Sequence, residues 1–141
     1  MKIVRKVNAP AYFIFDKIMD SSIYDITSVT GKEMKMEELE GFEYNKTFST
    51  KLKAKIKILK VEKNQAYQFQ TTTSIRDFIT TYHLKELASN KCEITCEESH
   101  ETEGSLLKYN DILTGFVLGR QRKRQMKILF DSMAREYQKA S

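Results

Sequence analysis

From Phe42 to Thr102 bulky and polar residues alternate with a period of two, the pattern of strands with one buried face. The segments "FEYNKTF", "AKIKILKV", "AYQFQTTTS", "RDFITTYHLKEL" and "KCEITCEESHET" are rich in β-branched and aromatic residues. The breaks "STKLK", "EKNQ" and "ASNK" are too short for the crossover that a parallel return needs, so the five strands are predicted to form an antiparallel meander. "KIVRKV" adds a sixth strand at the N-terminus. The period between and after these strands is 3.6. "NAPAYFIFDKIMD" predicts a helix capped by Asn8, with Pro10 in its first turn and Phe13, Ile14 and Ile18 as its apolar stripe. "SSIYDITSVTG" predicts a second short helix, opened by Asp20 or Ser21 and closed by Gly31. "KEMKMEELEG" holds a further turn of helix before Gly41. Beyond Gly104 the helical period continues to the end of the chain as one long helix.

Alternating steps of three and four residues along that last helix pass through Tyr109, Ile112, Phe116, Gly119, Lys123, Met126, Phe130, Met133 and Tyr137. Phe116, Met126 and Phe130 are therefore expected to be buried against the sheet. Arg120, Arg124 and Lys127 fall together beside this stripe and Arg122 falls on its other flank, so the run "RQRKRQ" reads as the edge of an amphipathic helix. That flank is either simply solvated or faces an anionic partner such as phosphate or an acidic protein. Gly115 and Gly119 each cost a helix about 1 kcal/mol relative to alanine. Either a close crossing over the sheet or room for a ligand accounts for them.

Composition narrows the class. A chain of 141 residues, 40% hydrophobic and 30% charged, fits one globular domain over 1–141. Its net charge of +5 lies in the last quarter, where eight Lys/Arg face three Asp/Glu. No aromatic residues interleave with that basic cluster and the rest of the chain is neutral, which argues against nucleic acid as a partner. "MKIVRKV" lacks the apolar run of a signal peptide. The most apolar stretch, Ile112 to Gly119, is far shorter than the roughly 18 residues of a membrane span, so no transmembrane segment is expected. Cys92 and Cys96, four apart on a strand, would lie about 13 Å apart at ~3.3 Å per residue, too far for a mutual disulfide. They read as buried thiols, and the expected location is cytoplasmic.

The order of strand, two helices, meander and long helix resembles the helix-grip fold of the START-like superfamily, or SRPBCC, which includes the birch-pollen-allergen type. The residues that carry the resemblance are in "VNAPAYFIFDKIMD": Ala9 and Pro10 at a strand end, then Ile14, Phe15 and Asp16, then a closing Asp20. The chain departs from the pattern in lacking the tryptophan that often follows the closing Asp. It also has six strands where many relatives have seven. "GFEYNKTF" together with "LTGFVLGRQRKRQ" is similar to a small bacterial branch of the superfamily with no assigned function, which carries over no catalytic residue. The resemblance implies an α+β fold: a curved antiparallel sheet of six or seven strands wrapped around the last helix, two short helices after the first strand, and a cavity for apolar or amphipathic molecules. Some relatives are cyclases or dehydratases, others carry lipids or hormones, and others bind proteins.

If the bulky parity of each strand faces the helix, the cavity is bounded by Tyr44, Lys46, Phe48, Ile56 and Ile58, then by Tyr67, Phe69, Thr71, Phe78, Thr80 and Tyr82, and by Ile94 and Cys96. Extending the last strand inward adds Glu98 and His100. Lys46, Glu98 and His100 are an acid/base cluster if they meet in a cleft, and plain solvated strand ends if they do not. His83 lies on the outward parity. Two histidines and two strand-spaced cysteines form no metal-ligand pattern, and the chain contains no P-loop, dinucleotide fingerprint or nucleophile elbow. No metal, cofactor or catalytic residue is therefore assigned. The expected function is binding of a small apolar or amphipathic ligand. The expected contacts are Tyr44, Lys46, Tyr67, Phe69, Phe78, Tyr82, Glu98 and His100 from the sheet, with Phe116, Gly119 and Lys123 from the helix. Lys123, the one charge on the stripe, is expected at the cavity mouth, paired either with an acidic ligand head or with a strand carboxylate such as Glu98. The alternatives are a cofactor-free cyclase, dehydratase or hydrolase using the same cavity, and an adaptor using the basic flank.

Overall fold

The computed structural model describes residues 1–47, 53–74, 76–101 and 119–140, with the side chains of 100, 101 and 119–121 outside that description. Its elements are β1 (Lys2–Val7), α1 (Ala11–Thr30), a 3-10 turn (Met36–Glu38), β2 (Glu43–Thr47), β3 (Lys53–Glu62), β4 (Ala66–Thr72), β5 (Asp77–Ala88), β6 (Lys91–Glu101) and α2 (Gly119–Ala140). The strands form one six-stranded antiparallel sheet in the order β1-β6-β5-β4-β3-β2. β2 to β6 are the expected meander, and β1 returns to pair with β6. Register shifts between Ile58 and Lys60 and between Glu86 and Ala88 interrupt the ladders. Such irregularities bend a strand and increase its twist.

Period-two sequence becomes a one-sided sheet. In β3, Ala54, Ile56 and Ile58 are buried while Lys53, Lys55 and Lys57 are exposed. In β6, Cys92, Ile94 and Cys96 are buried, opposite Val7, Arg5 and Ile3 of β1 in the same order. Both thiols are free and inside the core, as their spacing predicts.

The helices differ from expectation in two places. α1 runs unbroken for 20 residues through "DSS", where two short helices were expected. Ile14, Phe15, Ile18, Met19 and Ile26 are buried along it, so one apolar stripe crosses the supposed break. Nor does Asn8 cap the helix: Pro10 occupies the N-cap position, with no side-chain cap, and the Asn8 carbonyl accepts a hydrogen bond from Gln138 Nε2 at 3.2 Å. Gly31 closes α1 as predicted, at φ 76°, where its amide reaches the Thr27 carbonyl at 2.8 Å. The 3-10 turn sits inside the segment where a turn of helix was expected.

The second difference concerns the stripe of α2. Met126, Phe130 and Ala134 are buried with Met133 and Tyr137 packed beside them, but Lys123 is exposed and Arg122 occupies the inward position one turn before Met126. Arg124 and Lys127 are exposed, as an amphipathic flank requires. Phe116 and the rest of 102–118 lie outside the described residues. α2 is tied to β1 by Arg5, which donates to both Asp131 oxygens at 2.9 and 2.6 Å. It meets α1 where the Phe13 and Tyr137 rings stand edge to face at 5.2 Å and Lys17 pairs with Glu136 at 2.6 Å. These ion pairs are solvent-screened and add little, so burial of the stripe carries the packing. Phe130, 0% exposed, is its centre. Phe130→Ala is expected to cost about 3 to 5 kcal/mol in a urea unfolding experiment, against less than about 1 kcal/mol for Ile128→Ala on the exposed side.

Candidate ligand-binding cavity

Strand register lays the candidate residues out in rows across the inner face of the sheet. Tyr44, Ile56, Thr71 and Phe78 are successive cross-strand partners from β2 to β5. Ile58, Phe69, Thr80 and Glu98 form the next row, from β3 to β6. Tyr67, Tyr82 and Cys96 follow in a third. Because all three rows share one parity, their side chains stand on the same face. A cavity of about 510 Å³ lies over them, closed by Ile18, Ser22 and Asp25 of α1 and by Arg122, Phe130 and Met133 of α2. The helices touch at Phe13 and Tyr137, and the residues that line the cavity lie farther along α1, at Ile18 to Asp25, and earlier along α2, at Arg122 to Met133.

Two polar clusters face each other across an aromatic floor. At the α1 end, Asp25 accepts from the Tyr44 hydroxyl at 2.6 Å and from Lys46 Nζ at 2.7 Å, while the hydroxyls of Ser22 and Tyr67 bond to one another. At the α2 end, Arg122 donates through Nε and Nη2 to the two oxygens of Glu98, the second bond at 3.0 Å. This is the fork geometry of the stronger charge-assisted pairs. Glu98 has a side-chain exposure of only 15% and Arg122 of 32%, so each needs the other to be tolerated there. Between the clusters, Tyr67 stacks on Tyr82 at 6.3 Å and lies 5.5 Å from Phe69, and the Phe130 ring meets Tyr82 edge-on.

These surroundings suppress ionisation of the hydroxyl and thiol groups. Burial pushes the Tyr67 phenol up to about 12, with the Ser22 hydrogen bond opposing and the Asp25 charge adding. Tyr44 is raised by burial and by its bond to Asp25, and Tyr82 by burial and by the neighbouring Cys96. Burial also lifts the Cys96 thiol to about 12 and the Cys92 thiol to about 11. For Arg122 burial disfavours the charge, but the hydrogen bonds and charge of Glu98 outweigh it and the guanidinium is held more firmly protonated than usual.

Of the residues expected from sequence, Tyr44, Lys46, Tyr67, Phe69, Phe78, Tyr82 and Glu98 line this cavity, as do Ile56, Thr71 and Thr80. Ile58, Ile94 and Cys96 are fully buried and absent from its lining. Lys123 is exposed and is not among the described residues that line the cavity, and the partner of Glu98 is Arg122. The planar guanidinium meets the two carboxylate oxygens with two roughly parallel N–H donors, a geometry that a compact ammonium does not reproduce. Phe48 and Phe116 lie outside the described residues, as do the side chain of His100 and the surroundings of Gly119. The sequence reading assigned no role to Ser22 or Asp25, having placed a helix start at Asp20 or Ser21 beside them. Their placement at 18, 22 and 25 with Ile18, one face of a single helix, was the available signal.

Two outcomes follow from this geometry. Glu98→Gln is expected to cost about 1.5 to 3 kcal/mol by leaving the Arg122 cation without its counter-charge, and replacing both residues by Met should recover most of that loss. Chemical denaturation of the two variants measures the difference. The raised phenol and thiols set a pH dependence. The unfolded chain releases its thiol protons near 9 and its phenol protons near 10, whereas the folded chain holds those of Cys92 to about 11 and those of Cys96 and Tyr67 to about 12. Between these values the folded state binds more protons, so stability is intact below about pH 9 and falls as pH rises toward 12. Thermal midpoints across pH 8 to 11 should decline, with Tyr67→Phe declining less steeply than the wild type.

Comparison with solved structures places this architecture. A point mutant of norcoclaurine synthase from Thalictrum flavum, in complex with a transition-state analogue, is 14% identical with a TM-score of 0.67, over 98% of this chain and 94% of that one. An HSP90 activator from Plasmodium falciparum is 16% identical with a TM-score of 0.54, over 86% and 84%. DynU16, from the dynemicin biosynthetic locus, is 13% identical with a TM-score of 0.53, over 90% of this chain but 46% of its own, so this chain spans about half its length. These likenesses show the helix-grip fold. No curated protein matches the chain in sequence. Among the described residues no helix is long and apolar enough to cross a membrane, and no group of three or more His, Cys, Asp or Glu is placed to hold a metal ion. The family model described as a domain of unknown function, DUF3284, matches residues 1–119, and the chain belongs to that family.

Proposed function

We propose that this protein binds a small apolar or amphipathic molecule in the cavity between the sheet and α2. The observation that carries the reading is the cavity itself: about 510 Å³ of space inside a 141-residue domain, walled by aromatic side chains and flanked by hydrogen-bonded polar groups at two ends. Interiors without a ligand to hold are packed to a much higher density. Its contacts are Phe69, Phe78 and Tyr82 for the apolar body and Tyr44, Lys46, Tyr67 and Glu98 for polar groups. Norcoclaurine synthase, which shares the fold, holds dopamine and hydroxybenzaldehyde, and a ligand of that size suits this volume.

A second reading, a cofactor-free cyclase, dehydratase or hydrolase, is favoured by one feature of the site. Asp25, Lys46 and Glu98 line the same cavity as the tyrosines, so proton donors and acceptors are within one space. The binding reading is preferred because each carboxylate is already occupied by a cation of the protein.

Native mass spectrometry of the protein purified from its own host should show bound mass of a few hundred daltons, released on unfolding. Thr71→Phe, which fills the cavity floor, should weaken an environment-sensitive apolar fluorophore by at least about ten-fold with the fold retained. Absence of bound mass together with an unchanged fluorophore affinity would overturn the binding reading. Turnover of a bound compound that is lost in Asp25→Asn and Lys46→Met would establish the enzyme reading in its place.

A further inference from the structure

We infer that the Ser22–Tyr67 hydroxyl couple recognises a carbonyl oxygen, and that the ligand is a neutral aromatic carbonyl compound rather than an acid or an amine; this rests on the cavity reading above. Three observations lead there.

The first is a charge count. Among the described residues two cations and two anions line the cavity, and they are paired: Lys46 with Asp25 at 2.7 Å, and Arg122 with Glu98 through both oxygens. A carboxylate ligand either competes with Asp25 or Glu98 for its cation or adds a negative charge beside them, and an ammonium ligand does the same with the opposite sign. Either outcome leaves an excess charge in a partly desolvated place, which opposes binding. The second is the wall. Tyr67, Phe69, Tyr82 and Phe130 present ring faces and edges at mutual centroid distances of 5.5 to 6.3 Å, spacing that accepts another ring in the same offset or edge-on contacts.

The third is a hydrogen count. Ser22 and Tyr67 have one hydroxyl hydrogen each, and the bond between their oxygens consumes only one. Among the described residues neither hydroxyl has a second hydrogen-bond partner, and both line the cavity. Tyr67 keeps its proton, since burial pushes it up to about 12. Whichever hydroxyl donates within the couple, the other has a hydrogen left for an acceptor in the cavity. A carbonyl oxygen on an aromatic ring satisfies that donor and brings no donor or charge of its own.

Isothermal titration with three isosteric probes, acetylnaphthalene, ethylnaphthalene and naphthoate, tests the inference. The wild type should bind the ketone about three- to ten-fold more tightly than the hydrocarbon, and the acid most weakly. In Ser22→Ala/Tyr67→Phe the ketone should lose that advantage while the hydrocarbon still binds, which also reports that the cavity is intact. Each single variant keeps one hydroxyl hydrogen and should retain part of the preference. The infrared carbonyl stretch of the ketone bound to the wild type, which needs no variant, should lie below its value in hexane. Equal affinity for ketone and hydrocarbon, tighter binding of naphthoate, or an unshifted carbonyl band overturns the inference and leaves the cavity reading standing. Failure of every probe to bind overturns both.

Discussion

The inner face of a six-stranded sheet is roughly 24 Å wide at about 4.8 Å per strand, and one helix of about 10 to 12 Å cannot cover it. Most of the architecture follows from that mismatch. Two helices are needed, and α1 and α2 lie over the same face, joined where Phe13 meets Tyr137 and Lys17 meets Glu136. Residues nearer Asp25 on α1 and Arg122 on α2 face a cavity between them. The cavity is thus a product of how the helices meet, and the sheet supplies its floor through ordinary register.

A cavity made this way contains side chains that would be in solvent on a flat sheet. Lys46 and Glu98 sit toward the ends of their strands, where hydration would normally suffice, yet both are mostly covered by the helices. Partial burial of a charge demands a partner, and the helices provide one each: Asp25 to Lys46 and Arg122 to Glu98. The same two pairs therefore tie both helices to the sheet and fix the polar character of the site. Their contribution to stability is modest, since desolvation offsets much of the attraction. Their consequence for position is larger, because the fork holds Arg122, rather than the exposed Lys123, on the inward side of α2.

This also explains how far the sequence could be read. Alternation in "AKIKILKV" or "KCEITCEE" reports a property of each strand alone, so strands, parity, meander order and the sheet side of the cavity were all legible from residue 42 onward. Helices were less so. "DSS" in α1 has the local chemistry of a helix start, but Ile18 and Ile26 continue the apolar stripe across it, and the Ser22 hydroxyl is used on Tyr67 of β4, 45 positions away. Lys123 fits the periodic stripe of α2 as well as its neighbours do, and only the presence of Glu98 opposite selects Arg122 instead. Both misses are tertiary choices between locally equivalent options. Asp25 belongs with them: an acid in a helix reads as solvated until a strand delivers Lys46 and Tyr44 to it.

Phe130 connects the two roles of the molecule. It is fully buried in the core cluster with Met126 and Ala134, and it is also part of the cavity lining, with its edge on Tyr82. Its ring is fully covered, so the stretch of wall it gives the cavity is already packed from behind and from the side. The partly covered members of the α2 wall are Arg122 and Met133, on either side of it along the helix. A change at Phe130 therefore acts first on the core and only through it on the cavity, because the contacts that seat α2 on the sheet are the same ones that set the position of Arg122 and Met133.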